Sequence, residues 1–291
     1  MTTPLPDFLA SECEEREADA LFHVLPAPME QSVSYGAGTA HGPRAILEAS
    51  QQLEAWDGLS MPLSLGIHTK MPVLCDGSAQ EIVQRIENAC TGILSSGKIP
   101  VVLGGEHTVS LGALRAVVKQ YGRIGVVQID AHADLRDQFE GLKYSHACVM
   151  RRSVEELQTP LFQCGVRALS QEEDRFRCSQ ESISYLDARE LAASGIPAEV
   201  LPPDFPELVY LTVDVDGLDP SVIRATGTPV PGGLSWYQCL TVLEKTMKGR
   251  RVVGFDVVEL APDKADHASS FAAAQLVYNI MGMIQRNRST M

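Results

Sequence analysis

The chain of 291 residues contains no C-x-x-C pair. Its seven cysteines (Cys13, Cys75, Cys90, Cys148, Cys164, Cys178 and Cys239) are odd in number and scattered. That excludes a disulfide framework and a cysteine zinc site. Most of these residues are expected as small buried hydrophobes in a reducing compartment. No apolar run approaches the roughly 18 residues that a membrane span needs. The opening Met-Thr-Thr-Pro-Leu-Pro-Asp has no basic segment leading into an apolar core, so no signal peptide and a cytoplasmic location are expected. Low-complexity tracts, fixed-period repeats and long linkers are also missing. Basic residues are in deficit: 24 Lys and Arg stand against 37 Asp and Glu, a net charge of -13. Such a surface repels phosphate backbones, which argues against nucleic-acid binding, and it tolerates a cationic substrate. The apolar fraction of 45% is ordinary for a globular protein, so disorder is excluded.

What recurs is a short apolar, β-branched run followed by an amphipathic stretch. Strands are expected at Phe22–Leu25, Pro100–Leu103, Ile124–Ile129, Leu161–Val166, Ser182–Leu186, Leu208–Val213 and Val252–Val257. Helical patterns lie at Gly42–Ala55, Ser78–Ser95, Thr108–Gln120, Ser145–Glu156, Ser235–Met247 and Ala265–Gln285, with Pro43 and Ser78 as ordinary start signals. This alternation predicts right-handed crossovers and a mostly parallel sheet covered on both faces. The fold class is therefore α/β, a single three-layer α/β/α domain over residues 1–291, with residues 1–20 as a loose N-terminal extension. In such sheets ligands sit beyond the carboxyl ends of the strands.

Three of those strand ends are dense in His and carboxylates. One run ends in Gly104-Gly105-Glu106-His107-Thr108, a second in Asp130-Ala131-His132-Ala133-Asp134, and a third in Asp214-Val215-Asp216-Gly217-Leu218-Asp219-Pro220. Residues two apart on an extended segment share a side. Asp130 can thus converge with His132, and Asp214 with Asp216. Singly, each Asp reads as a cap or turn residue and His107 as structural. Together, two imidazoles and four carboxylates exceed what one tetrahedral ion requires and suit two divalent ions with bridging carboxylates. Thiolate-free, carboxylate-rich ligation favours Mn²⁺ over structural zinc, with Co²⁺ or Ni²⁺ also compatible. Four unpaired carboxylates at one place would repel strongly, and two dications resolve that repulsion.

These three motifs in this order resemble the signatures of the ureohydrolase family, the arginases and agmatinases. So do Ala225-Thr226-Gly227-Thr228-Pro229, Gly254-Phe255-Asp256-Val257-Val258-Glu259-Leu260-Ala261-Pro262, Tyr35-Gly36-Ala37-Gly38-Thr39 and Gly42-Pro43-Arg44-Ala45-Ile46. The resemblance runs from about residue 22 to about 285. It implies an arginase/deacetylase-like fold and hydrolysis of a guanidino group to urea and an amine at a centre of two Mn²⁺ per chain. By that likeness His107, Asp130, Asp134 and Asp214 hold one ion and His132, Asp130, Asp214 and Asp216 the other. Asp134 also aims the attacking water, while Glu259 and Thr228 engage the guanidinium. His146 stands for the family's active-site histidine, binding substrate and relaying a proton to the leaving amine. Glu106 is expected only as support beside a ligand, and His23, His41, His68 and His267 as packing or surface residues.

Substrate choice is read from the loop Leu135-Arg136-Asp137-Gln138-Phe139-Glu140-Gly141-Leu142-Lys143-Tyr144-Ser145. It lacks the Asn and Ser set by which arginases take an α-carboxylate and α-amino group, and looks like agmatinase. Asp137 and Glu140 are candidates for an acidic mouth. The expected reaction is agmatine to putrescine and urea, in polyamine biosynthesis. Aminopropylagmatine is the neighbouring alternative, followed by guanidinobutyrate and formiminoglutamate. Two readings from other classes, a zinc deacylase and a non-catalytic homologue, are disfavoured because all six ligand positions and Glu259 are present. The resemblance also implies a homo-oligomer, trimer or hexamer. Cys148, two residues from His146, is the thiol to watch.

Overall fold

The computed structural model describes residues 4–12 and 17–289. Its strands are β1 (Phe22–Ala27), β2 (Ile67–Thr69), β3 (Ile99–Gly104), β4 (Gly125–Ile129), β5 (Leu161–Cys164), β6 (Ile183–Leu186), β7 (Leu208–Asp214) and β8 (Arg251–Val258). All eight lie in one sheet with every neighbour parallel, in the order β2-β1-β3-β8-β7-β4-β5-β6. The helices are α1 (Gly42–Ser50), α2 (Ala79–Ser95), α3 (Val109–Tyr121), α4 (Val149–Glu156), α5 (Gln171–Ser179), α6 (Ala188–Ser194), α7 (Trp236–Met247) and α8 (His267–Arg288).

Alternate side chains of each central strand serve opposite faces, the period-2 rule at work. Val101, Leu103, Val209, Leu211, Phe255 and Val257 pack with Ile46 and Leu47 of α1 and with the apolar stripes of α7 and α8. Val102, Tyr210 and Val253 face the other way, onto α2, α3 and α4. Two apolar cores separated by one sheet make the expected three-layer α/β/α arrangement. Helix starts follow local chemistry. Ser78, Ser170 and Ser235 each accept a hydrogen bond from the backbone of a Glu or Gln three residues on, whose side chain returns the contact. Pro43 opens α1, whose N-terminus has no side-chain cap.

Several boundaries differ from the sequence reading. Strand β2 was not anticipated, because three residues are too few to show a period. Helices α5 and α6 are likewise short and were missed. Strand β5 stops at Cys164 rather than Val166, since Gly165 turns into positive φ (95°). The Ser145–Glu156 pattern is a single 3₁₀ turn at His146–Cys148 followed by α4. The expectation of a loose segment over residues 1–20 does not hold for its described part. Phe8 and Leu9 are buried in the core, and their amides donate to Thr69 Oγ1 (2.8 Å) and Ser50 Oγ (2.9 Å). Residues 1–3 and 13–16, Cys13 included, lie outside the described residues. The other six cysteines are free; Cys90, Cys148, Cys164 and Cys239 are buried, Cys75 is half-buried and Cys178 is exposed. No helix among the described residues is long and apolar enough to cross a membrane.

Candidate metal centre and substrate cavity

Strand order decides the site. The four segments that carry its acids and imidazoles follow β3, β8, β7 and β4, which are consecutive neighbours at the middle of the sheet. Close approach of their backbones needs glycine at two points. A Cβ on Gly105 would stand 2.0 Å from the Met29 carbonyl oxygen, and one on Gly217 would stand 2.7 Å from the Asp130 nitrogen. Beyond the strand ends, the ligand atoms of His107, Asp130 and Asp134 lie within 4.8 Å of one another, as do those of Asp130, His132 and Asp216. Asp130 belongs to both trios. Asp214 belongs to neither, but its Oδ2 is 3.6 Å from His107 Nδ1. All six positions singled out from sequence are thus brought together. His23, His41, His68 and His267 belong to neither trio.

The chemistry of the donor set fits divalent ions. His107 is 1% exposed, and its Nε2 meets Thr212 Oγ1 at 2.7 Å; Thr212 in turn donates to Asp256. That chain commits the Nε2 proton and turns Nδ1 toward Asp134, Asp130 and Asp214 at 2.9, 3.2 and 3.6 Å. Nδ1 makes no hydrogen bond of its own. A bare imidazole nitrogen facing three carboxylates is unfavourable unless a cation sits between them, and a second ring nitrogen held by a hydrogen bond is how ligating histidines are fixed. Asp130 is oriented similarly: Gln128 Nε2 donates to it (2.7 Å), and Gln163 steadies Gln128 (2.6 Å). Asp216 accepts from the Ala131 amide (3.0 Å) and Asp214 from the Asp216 amide (2.8 Å).

Without cations, protonation must relieve the crowding. Burial works against a charged His107 and His132, but neighbouring carboxylates win and raise both, His132 to about 12. Burial and then repulsion from Asp130 push Asp134 up to about 7, and burial with Asp216 and Asp130 lifts Asp214 well above the usual carboxylate range. Metal binding here therefore releases protons. Two site acids also sit in left-handed backbone, Asp134 at φ 52° and Glu259 at φ 64°. Strain of that kind costs on the order of 1–3 kcal/mol per residue and persists where surrounding contacts over-determine it. The contacts are visible: the Asp134 carbonyl accepts from Met150 and Arg151, and the Glu259 amide donates to the Gly105 carbonyl.

A cavity of about 380 Å³ opens onto this cluster and is lined by Asp134, Asp214, Asp216, Thr228, His146 and Glu259, among others. Glu259 Oε1 accepts from the His107 amide (2.7 Å), and Oε2 has no hydrogen bond among the described residues; burial holds its carboxyl well above its ordinary value. Thr228 Oγ1 donates to Asp216 at 3.3 Å. His146 Nδ1 is 3.1 Å from Ser32 Oγ, and its ring meets Phe139 edge-on at 5.4 Å. Arg167, unremarked in the sequence, donates to the carbonyls of Gly165, Asp216 and Val230, tying together the loops that carry Asp216 and Thr228.

The acidic wall differs from the one expected. Asp137 is taken by Arg152 (2.8 Å), and neither it nor Glu140 lines the cavity. The carboxylate that does is Glu173, 3% exposed, with Arg136 Nε 3.7 Å away. Its one legible signal was the Ser170-x-x-Glu173 spacing of a capping box, which reads as helix-start chemistry only. Cys148 is buried, and burial pushes its thiol up to about 12, so it is no reactive thiolate.

A profile of the arginase family matches residues 20–282. The chain belongs to the arginase family. As such it is a ureohydrolase, an enzyme that hydrolyses guanidino C–N bonds. It is 41% identical over 287 residues to the N(1)-aminopropylagmatine ureohydrolase of Synechocystis, covering 94% of this chain and 92% of that protein. It is 31% identical to the agmatinase of Pyrococcus horikoshii, over 92% and 93% of the two chains. Among solved structures, the agmatine ureohydrolase of Thermoplasma volcanium superposes with a TM-score of 0.86 at 28% identity, covering 99% of this chain and 97% of that one.

Proposed function

We propose that this ureohydrolase acts on N(1)-aminopropylagmatine, releasing urea and spermidine. Its shorter homologue agmatine, the substrate to which the sequence points first, is the second reading. The observation that carries the proposal is the cavity wall. Beyond the ligand cluster and Glu259 it presents the ring of Tyr35, 87% exposed; the buried Glu173 carboxylate also lines it but is already held by the Leu135 and Ser170 amides, with Arg136 at 3.7 Å. That aromatic face suits a further cationic nitrogen of a polyamine tail. Higher identity to the Synechocystis protein than to the Pyrococcus agmatinase supports the same choice. The agmatinase relatives and the Thermoplasma structure keep agmatine in play.

In this reading His107, Asp130, Asp134 and Asp214 hold one Mn²⁺, and Asp130, His132, Asp214 and Asp216 the other. When bound, such ions supply Lewis acidity, lowering the pKa of the attacking water and neutralising charge that develops in the transition state. The protein's own groups do the rest. Glu259 Oε2 takes the guanidinium and fixes its plane, with Thr228 beside it. Asp134, held in left-handed backbone, presents its carboxylate to the water's proton. His146 carries a proton to the departing amine, whose bond to the guanidinium carbon breaks as urea forms. A cytoplasmic homo-oligomer, trimer or hexamer, belongs to the same reading.

The test is urea release by protein reconstituted with Mn²⁺, using aminopropylagmatine, agmatine, arginine, guanidinobutyrate and formiminoglutamate. The expected kcat/KM for aminopropylagmatine exceeds that for agmatine at least tenfold, about 1.4 kcal/mol. The reverse order transfers the assignment to agmatine, and silence across the panel with two metals bound rejects both.

A further inference from the structure

Behind His146 lies a buried hydrogen-bond chain that neither the reaction nor the family resemblance calls for. Ser32 precedes α1 in the loop after β1, and Glu106 sits in the turn after β3. Glu106 is fully buried and accepts four hydrogen bonds: from the amides of Gln31 (2.6 Å) and Ser32 (2.7 Å), and from the hydroxyls of Ser32 (2.8 Å) and Thr108 (2.6 Å). The two backbone N–H groups reach Oε2 and the two hydroxyls reach Oε1, so both oxygens of the Glu106 carboxylate act as acceptors. The Ser32 hydroxyl has one proton and gives it to Glu106. Its oxygen therefore has only lone pairs to offer to His146, whose backbone amide and Nδ1 both lie 3.1 Å away. A longer contact of Nδ1, to Ser145 Oγ at 3.4 Å, is the only other one made by that atom among the described residues.

We propose that Ser32, polarised by Glu106, is a positioning residue that locks His146 in its Nδ1–H tautomer and directs the Nε2 lone pair to the cavity. The inference rests on the proposed role of His146 in the reaction. The proton that His146 moves is then carried at Nε2, taken up there and delivered there. Nδ1–H never leaves Ser32. Three observations converge on this. Glu106 is ringed by four donors, and the His146 backbone amide donates to the Ser32 oxygen, so the chain runs from His146 through Ser32 to Glu106. The Ser32 oxygen holds His146 at two points, backbone and ring, so it fixes orientation as well as tautomer. Finally, the His146 ring meets the Phe139 ring at 5.4 Å and 76°, a contact that holds the plane of the imidazole.

The experiment is ¹⁵N NMR of histidine-labelled protein, metal-free and with Zn²⁺ replacing Mn²⁺ to avoid paramagnetic broadening, alongside kinetics of the Mn²⁺ enzyme. The His146 signals are assigned by their loss in His146→Asn. The wild type is expected to show Nδ1 as the protonated and Nε2 as the unprotonated nitrogen. In Ser32→Ala the pattern shifts toward the other tautomer, and kcat falls about tenfold while KM changes less than twofold. Ser32→Thr, which keeps the hydroxyl, restores both. An Nε2–H tautomer in the wild type, or a Ser32→Ala protein with unchanged ¹⁵N pattern, overturns the proposal. The tautomer readout needs no substrate, so it stands apart from the choice between aminopropylagmatine and agmatine.

Discussion

Replacing Glu259 by Gln tests a cavity-lining carboxylate that belongs to neither ligand trio. Gln has the same length and the same Cβ, so the left-handed backbone at φ 64° is neither relieved nor worsened. The His107 amide, 2.7 Å from Oε1, keeps an acceptor if the amide oxygen takes that place. The NH₂ group then replaces Oε2 and points donors at a guanidinium that has only donors. The loss has two parts: a charge-assisted hydrogen bond worth about 1.5–3 kcal/mol, and buried donors left unpaired at about 1–2 kcal/mol. Together they amount to roughly 3–4 kcal/mol, or about 10²–10³ in kcat/KM. Stability should not suffer. Burial holds the Glu259 carboxyl well above its ordinary value, so the ionised side chain is a liability in the metal-free protein, and a neutral amide removes it. Urea release measured with metal content by mass spectrometry and thermal melting separates these effects. A Glu259→Gln enzyme within threefold of wild-type kcat/KM, with metal content unchanged, refutes its role in holding the guanidinium.

Further predictions address metal and pH. Asp130 belongs to both ligand trios, so Asp130→Ala should bind fewer than one ion per chain, whereas Thr228→Ala should keep the wild-type content; equal stoichiometry in the two would sink the shared-ligand assignment. Each Mn²⁺ site, at about a hundred times its Kd, should contribute roughly 2.7 kcal/mol of stability. For a chain of this size that raises Tm by about 5 °C per ion, reversed by chelation. A flat melting temperature would mean that the acid cluster needs no cation. Lowering pH should weaken Mn²⁺ affinity as His132 and Asp134 regain protons, titrations near about 12 and about 7 in the metal-free protein; affinity unchanged between pH 8 and 6 argues against Asp134 as ligand. His23 is buried, and burial, with His68 and Lys70 nearby, lowers its pKa. The unfolded chain therefore binds more protons as pH falls below 6.5, and stability declines there. His23→Asn should show a shallower loss of Tm from pH 7 to 5.5 than wild type, and parallel curves would contradict this.

What the sequence made legible and what it hid divide along physical lines. The central strands were readable because burial on both sheet faces forces continuous apolar runs, and the candidate ligands because metal chemistry restricts residue type and spacing within a few positions. Asp130 and His132, or Asp214 and Asp216, announce themselves locally. Long-range pairing does not. Nothing between residues 104 and 259 states that β8 and β7 insert between β3 and β4, yet that insertion brings His107 beside Glu259 and Asp130 beside Asp216. Supporting residues were hidden for a related reason. Glu173 reads as an ordinary capping-box acid, and only the fold turns it toward the cavity, so that it caps a helix and lines the cavity together. Ser32, in a loop 114 residues from His146, has no local signature at all. Asp137 and Glu140 misled because charge in the right loop is weak information: Arg152, a turn into α4, was already placed to take Asp137. A residue that touches a metal carries its reason in its own chemistry, whereas a residue that orients another carries it only in three dimensions. Chemistry of the first kind is therefore legible before folding is known, and specificity, which depends on the second kind, is not.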